Sequence, residues 1–331
     1  MPALPSLLRS CSRRLRRTLV VALVLAGSWP VLAGNADLPE WTPTTPKLEG
    51  TELARLEAAL QQLPVQRPGI TDLYVLGVAG DAGEDVFGNE VRYLQQLAAQ
   101  RWQTGGRTLS LINAPPGSAA DGTAPQATFE SLGYALDGLG QALDPAEDVL
   151  LLYLTSHGLP DNSFYLRTGP EQEDYLSPQD LAQLLDEAKI GNAVIVVSAC
   201  FSGGFVPPLK APNRMIITAA REDRPSFGCG NTDSATWFGR AFLVEALNAG
   251  NDFSAAFAQA RTRVKRRERQ EGELPSYPQI ATGRHIEAVL ARWRQQLPPP
   301  VVVPYPFAAP AAAMEPADDS PLPVPTAAPS R

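Results

Sequence analysis

Long uninterrupted apolar runs, rather than alternating ones, mark the strands of this chain. Asp72–Val78, Thr108–Ile112, Asp148–Thr155, Ala193–Ser198 and Met215–Ala219 each read as a strand buried on both faces. Between them the apolar spacing changes to that of helices. Asn89–Trp102 places Val91, Leu94, Leu97 and Ala98 on one face, and Phe129–Leu143 is a second helix. Ser177 followed by Pro178 caps a helix running to about Ala188. Further helices are expected at about 234–248 and 252–270. Doubly buried strands separated by helices predict an α/β fold, with a mainly parallel central sheet in a three-layer α/β/α sandwich. In such sheets ligands and reacting groups gather beyond the carboxyl ends of the strands.

The two ends of the chain break this pattern. Arg9, Arg13, Arg14, Arg16 and Arg17 precede an apolar stretch from Thr18 to Ala33, and Val31-Leu32-Ala33 offers small residues for cleavage. Residues 1–33 therefore read as a signal peptide, which implies export to the periplasm or the extracellular space. An uncleaved membrane anchor is the alternative, against which the stretch is short of the ~20 residues that span a bilayer. Residues 34–47 read as a linker. From Pro298 to Arg331, eleven of 34 residues are proline, so 298–331 reads as a disordered Pro/Ala-rich tail and a possible ligand for another protein. That leaves 48–297 as one folded domain.

Composition narrows the chemistry. The 331 residues carry a net charge of −7, and signal cleavage removes five arginines and no acid, giving −12. Nucleic acid is therefore not an expected partner. Arg261–Arg269 is rich in basic residues, but in so acidic a chain it reads as a solvated helix face. Only two histidines, His157 and His285, and three cysteines, Cys11, Cys200 and Cys229, are present. A multi-Cys or multi-His metal centre is not expected, and no cofactor is indicated.

The scarce residues fall where chemistry is expected. The third strand ends in Thr155-Ser156-His157-Gly158, and the fourth in Ser198-Ala199-Cys200-Phe201-Ser202-Gly203-Gly204. If these strands are neighbours, His157 and Cys200 share one edge of the sheet. A cysteine needs a base or a positive field to become a thiolate at neutral pH, and the pair supplies it. The backbone amides of Gly158 and Cys200 are candidate oxyanion donors. A lone histidine is ordinarily structural and a buried cysteine is ordinarily a small hydrophobe. That both end long apolar strands argues for chemistry.

Strand–His-Gly followed by strand–Ala-Cys resembles the clan of caspases, gingipains and legumains. Val78-Ala79-Gly80, Thr155-Ser156-His157-Gly158, Ser198-Ala199-Cys200 with Ser202-Gly203-Gly204, and Thr218-Ala219-Ala220 followed by Ser226-Phe227-Gly228-Cys229 occur in the order seen in the legumain-like family of cysteine peptidases. That family also contains the catalytic subunit of the GPI transamidase. The resemblance spans about Asp72 to Leu247. It implies a caspase-like fold, a Cys200/His157 dyad acting on peptide or protein substrates, His157 as general acid toward the leaving amine, and an oxyanion hole from Gly158 and Cys200. It also implies a specificity pocket touching Ser198, Ser226 and the position of Arg240. Where the family has acidic residues this chain has Ser198 and Arg240, and Gly88 with Arg92 a turn later stands at the family's pocket arginine. Asparagine specificity does not carry over, and Arg240 would favour an acidic side chain.

Other readings remain open at this point. An α/β-hydrolase places its nucleophile before the histidine, whereas His157 precedes Cys200, and His285 opens a late amphipathic helix. Gly77, Gly80 and Gly83 lack the dinucleotide-binding spacing. A catalytically silent exported binding protein with a Cys200–Cys229 disulfide is a different class, and a transpeptidase would use the same dyad.

Overall fold

The computed structural model describes residues 50–115, 117, 122–230 and 233–308. The signal-like stretch, the linker and the far end of the tail lie outside them. In chain order the elements are α1 (Gly50–Gln61), β1 (Leu73–Ala79), α2 (Asp85–Gln100), β2 (Thr108–Ile112), α3 (Phe129–Ala142) and β3 (Val149–Thr155). A hairpin follows, β4 (Phe164–Gly169) and β5 (Gln172–Leu176), then α4 (Pro178–Glu187) and β6 (Asn192–Ser198). After a 3-10 turn come α5 (Val206–Leu209), β7 (Arg214–Thr218), the short α6 (Trp237–Gly239), a π-helical segment over Arg240–Leu247, α7 (Phe253–Glu271), β8 (Gln279–Thr282) and α8 (Ile286–Gln295).

Six strands form the central sheet in the order β2-β1-β3-β6-β7-β8. The first five are parallel, and β8 closes the edge antiparallel to β7. All seven residues of β1, β3 and β6 are buried, as continuous apolar runs require. Alternate side chains feed two cores. Val75, Leu151, Tyr153, Val194 and Ile217 meet α2, the π-helical segment, α7 and α8. Leu76, Leu152, Leu154, Ile195 and Ile216 meet α1, α3, α4 and α5 on the other face. The expected three-layer, mainly parallel, caspase-like architecture is the one observed. Ser177 caps α4 with a full capping box, its hydroxyl accepting from Asp180 N, an arrangement worth ~1 kcal/mol. No helix among the described residues is long and apolar enough to cross a membrane.

Three strands go beyond the five expected. The hairpin β4–β5 stands apart from the central sheet, and its polar turn lacks a long apolar run. β8 spans four residues, none of them buried, too few for a periodicity.

The expected boundary at 297 is corrected. Residues 301–308 lie along the body as a strap, and Val303 is 1% exposed within the core. Asn248 Nδ2 donates to Val303 O and Val303 N to Asn248 Oδ1, both at 2.8 Å, while Tyr93 OH donates to Val303 O at 2.8 Å. Pro304 and Pro306 keep the segment extended and remove N–H groups, but Val303 keeps its own donor for Asn248. Proline content predicts extension correctly but does not tell whether an extended segment finds a surface to pack on.

Candidate active site

β3 and β6 are hydrogen-bonded neighbours, with Thr155 paired to Ser198 at their carboxyl ends. Parallel register carries His157 and Cys200 to the same edge, two residues past that pair. The side chains of both are partly exposed. Phe201, directly after Cys200, takes a left-handed conformation (φ 55°), a costly one for a non-glycine residue. It is held there by Phe201 N donating to Arg224 O (2.8 Å) and by Asn162 Nδ2 donating to Phe201 O (3.0 Å). The turn that carries Cys200 is thus fixed from both sides.

Ser226 holds the sulfur. Its N–H donates to Cys200 Sγ at 3.2 Å, its hydroxyl is 3.6 Å away, and the thiol in turn donates to Ser226 O at 3.3 Å. Cys229 is also free, and its thiol acts on the Cys200 sulfur. The Cys200 thiol is pushed down to about 6, first by the Cys229 thiol, then by the Ser226 donors and the charge of His157, against the opposing effect of burial. The Cys229 thiol is pushed up by the same contact and by burial. The Ser226 donors favour negative charge on the Cys200 sulfur.

His157 Nε2 lies 3.3 Å from Asp81 Oδ2 and 3.3 Å from Glu84 Oε1. Phe87 of α2 meets the ring edge-on at 5.2 Å. His157 is raised above the ordinary histidine value, chiefly by its hydrogen bond to Glu84, with the charges of Glu84, Asp81 and Cys200 adding and burial opposing. Because Nε2 faces the carboxylates, Nδ1 is the nitrogen left for a reacting group. The arrangement can deliver a thiolate nucleophile beside a protonated imidazole.

The amides of Gly158 and Cys200 donate to no protein acceptor among the described residues. Gly158 packs against Cys200, so the two lie at one corner. Also among the described residues, no group of three His, Cys, Asp or Glu side chains is arranged to hold a metal ion.

A model of the peptidase C13 family matches residues 134–287, the part that carries β3, β6, His157 and Cys200. The match supports a legumain-like peptidase C13 assignment for that part of the chain. This is a family of cysteine peptidases, and its substrates are peptides or proteins. No curated protein matches the chain.

The residues singled out in the sequence have unequal fates. His157, Gly158, Cys200 and Ser226 meet at one edge of the sheet. Ser198 is 1% exposed and shares its hydroxyl proton with Thr236 Oγ1 at 3.2 Å, so it is closed to a substrate. Arg240 is corrected. Its guanidinium lies 4.5 Å over the Tyr305 ring of the strap and donates to Ser234 Oγ at 2.7 Å, and the 260 Å³ cavity that it lines contains neither His157 nor Cys200. The strap, which was not expected to fold, claims this side chain. Arg92 reaches back over Gly88 with Asn89 Oδ1 as its hydrogen-bond partner (3.4 Å). His285 is exposed and caps α8 beside Pro212, among the elements at the far edge of the sheet.

Asp81 and Glu84 were not anticipated, whereas the pairing of Cys229 with Cys200 belongs to the alternative disulfide reading, although both thiols are free here. Asp81 and Glu84 follow β1 directly, and the same carboxyl-end rule that selected His157 and Cys200 applies to that loop.

Proposed function

We propose that the chain is an exported cysteine endopeptidase in which Cys200 is the nucleophile and His157 the general acid–base. The observation that carries this reading is the lowered, Ser226-bound thiol of Cys200 at the same sheet edge as a carboxylate-bound His157. The Cys200 thiolate attacks the scissile carbonyl carbon. The oxyanion forms beside the otherwise unused amides of Gly158 and Cys200. As the tetrahedral intermediate collapses, His157 Nδ1–H gives its proton to the departing amine and an acyl-thioester remains on Cys200. Water then attacks the thioester, His157 takes its proton, and the acid product leaves with Cys200 restored as thiolate.

Digestion of a peptide library by the purified full-length protein tests this, with Cys200→Ala as control. Cleavage lost in Cys200→Ala supports the reading, and cleavage surviving it overturns the assignment. An added amine acceptor in the same assay separates hydrolysis from transpeptidation, which needs the same residues. Export is tested by mass spectrometry of the mature protein: a new terminus at or near Gly34 supports cleavage, and an intact Met1 in a membrane fraction supports an anchor.

A second reading is favoured by the contact between Cys229 and Cys200. Oxidation of that pair would consume the nucleophile and leave a silent peptide-binding protein with a peptidase fold. Peptide mapping after non-reducing purification decides between them. A quantitative Cys200–Cys229 linkage supports the binding protein, and a free, alkylatable Cys200 supports the enzyme.

A further inference from the structure

We propose that Asp81, clamped by Arg167 of the β4–β5 hairpin, is the positioning residue that fixes the orientation of the His157 ring and the nitrogen that carries its proton. The inference rests on the peptidase reading given above. Asp81 is fully buried at 0% exposure, and its two oxygens are used differently. Oδ1 accepts from Gly83 N at 2.7 Å and from Arg167 Nε at 2.7 Å. Oδ2 has no hydrogen-bond partner and faces His157 Nε2 at 3.3 Å. A buried carboxylate oxygen without a partner is costly, and an imidazole N–H turned toward it removes that cost. With Oδ1 committed, Oδ2 can move little, so the ring is given one favourable orientation.

The clamp is built from backbone as well as side chain. Asp81 and Arg167 form an isolated parallel bridge, Ala82 N donates to Arg167 O at 2.9 Å, and Arg167 N donates to Gly80 O at 2.7 Å. The hairpin outside the central sheet is thereby docked onto the loop after β1. Gly83 gives the guanidinium its path, since a Cβ there would lie 1.7 Å from Arg167 Nη2. Arg167 is steadied further by the Tyr165 ring, 5.8 Å from its guanidinium carbon.

Glu84 has a different part. It lies at the same 3.3 Å from Nε2 and raises the proton affinity of His157 more than Asp81 does. Its side chain is 21% exposed, however, and its Oε2 has no hydrogen-bond partner among the described residues, so it lacks the clamp that Arg167 and Gly83 give Asp81. Glu84 chiefly favours the charge, and Asp81 sets the geometry. The other groups facing the ring are Phe87 from α2, Tyr165 from β4, itself pushed far above the ordinary tyrosine value, and Cys200 from the turn after β6. None of these offers a fixed acceptor to Nε2.

The test uses the full-length protein, whose two histidines make imidazole nitrogen NMR assignable with His285→Gln. Asp81→Asn keeps an oxygen for Arg167 and Gly83 but turns an amide donor toward Nε2. The His157 titration midpoint should fall, the neutral ring should move its proton from Nε2 to Nδ1, and kcat should drop roughly 100-fold with KM little changed. Should Asp81→Asn fail to fold by circular dichroism, Arg167→Met carries the test at a side chain that is 31% exposed. It should lower kcat about tenfold at unchanged KM, with partial recovery in Arg167→Lys. An unaltered midpoint and tautomer in Asp81→Asn, or unaltered kcat in Arg167→Met, overturns the proposal. The NMR arm needs no substrate. A wild type with the expected tautomer that cleaves no peptide sinks the peptidase reading alone.

Discussion

Thr155 and Ser198 are the last register partners of the adjacent parallel strands β3 and β6, and two residues after each comes His157 or Cys200. The meeting of His157 and Cys200 is therefore a property of the sheet, which two long apolar strands hold rigidly. The residue after each strand-end group then needs little freedom, and Gly158 shows how little. A Cβ at 158 would stand 2.0 Å from the Cys200 carbonyl oxygen.

Gly158→Ala is accordingly expected to be among the most damaging single-methyl changes in the chain. The Cys200 backbone would have to move away, at a cost of about 3 kcal/mol, near the top of the usual overpacking range. Denaturant unfolding should show that loss, together with turnover lost beyond what stability explains. A normal midpoint would mean that the close approach is relieved by a small loop shift.

Cys200→Ala and His157→Ala should each abolish labelling by a peptide acyloxymethyl ketone. Both side chains are partly exposed at the sheet edge, so folding stability should change by less than about 1 kcal/mol. Intact-mass analysis reads the labelling and thermal melts read the fold. Labelling retained in Cys200→Ala would move the nucleophile elsewhere.

The pH dependence follows from the two shifts. Cys200 must be ionised to attack, so kcat/KM should rise through about pH 6, where its lowered value lies. His157 must be protonated to release the amine, and its affinity is raised, chiefly by Glu84. The alkaline limb should therefore lie above the ordinary histidine value of about 6.5. Glu84→Gln should bring that limb down without moving the acid limb comparably. An acid limb near the ordinary thiol value of about 8.5 would contradict the description of the sulfur.

How much of this the sequence foretold depends on the kind of force at work. Strands such as Val149–Thr155 and Asn192–Ser198 are legible because burial on both faces demands an unbroken apolar run, and the ends of those runs expose His157 and Cys200. Asp81 and Arg167 are illegible for the opposite reason. They lie 86 positions apart and meet through a hairpin whose docking depends on tertiary packing. Arg240 was misread because its partner, Tyr305, stands in a proline-rich stretch whose composition suggested no contact.

Cys229→Ala removes the thiol that lowers Cys200 most. The acid limb should move up from about 6 toward the ordinary thiol range, so activity should fall more at pH 6.5 than at pH 8.5. The alkylation rate of Cys200 as a function of pH, read by peptide mass spectrometry, follows the same shift without any substrate. An unmoved limb would assign the lowering to Ser226 and His157 alone.

The strap gives a prediction about where the folded body ends. Truncation after Leu297 removes Val303, 1% exposed, and with it the partners of Asn248 and the Tyr93 hydroxyl. Burial of a valine side chain is worth about 1.5–3 kcal/mol. The freed polar groups regain water and lose only the modest net value of their bonds, about 1 kcal/mol each. With three such bonds the sum is roughly 4.5–6 kcal/mol, or a fall in Tm on the order of 10 °C or more for a domain of this size. Truncation after Ala308 keeps every one of these contacts and should melt with the full-length chain. Arg240 adds a second readout. Without Tyr305 its guanidinium loses the ring beneath it, and a change in peptide preference confined to the shorter truncation would link the strap to the cleft. Equal melting of the two truncations would show that the strap rests on the body without stabilising it.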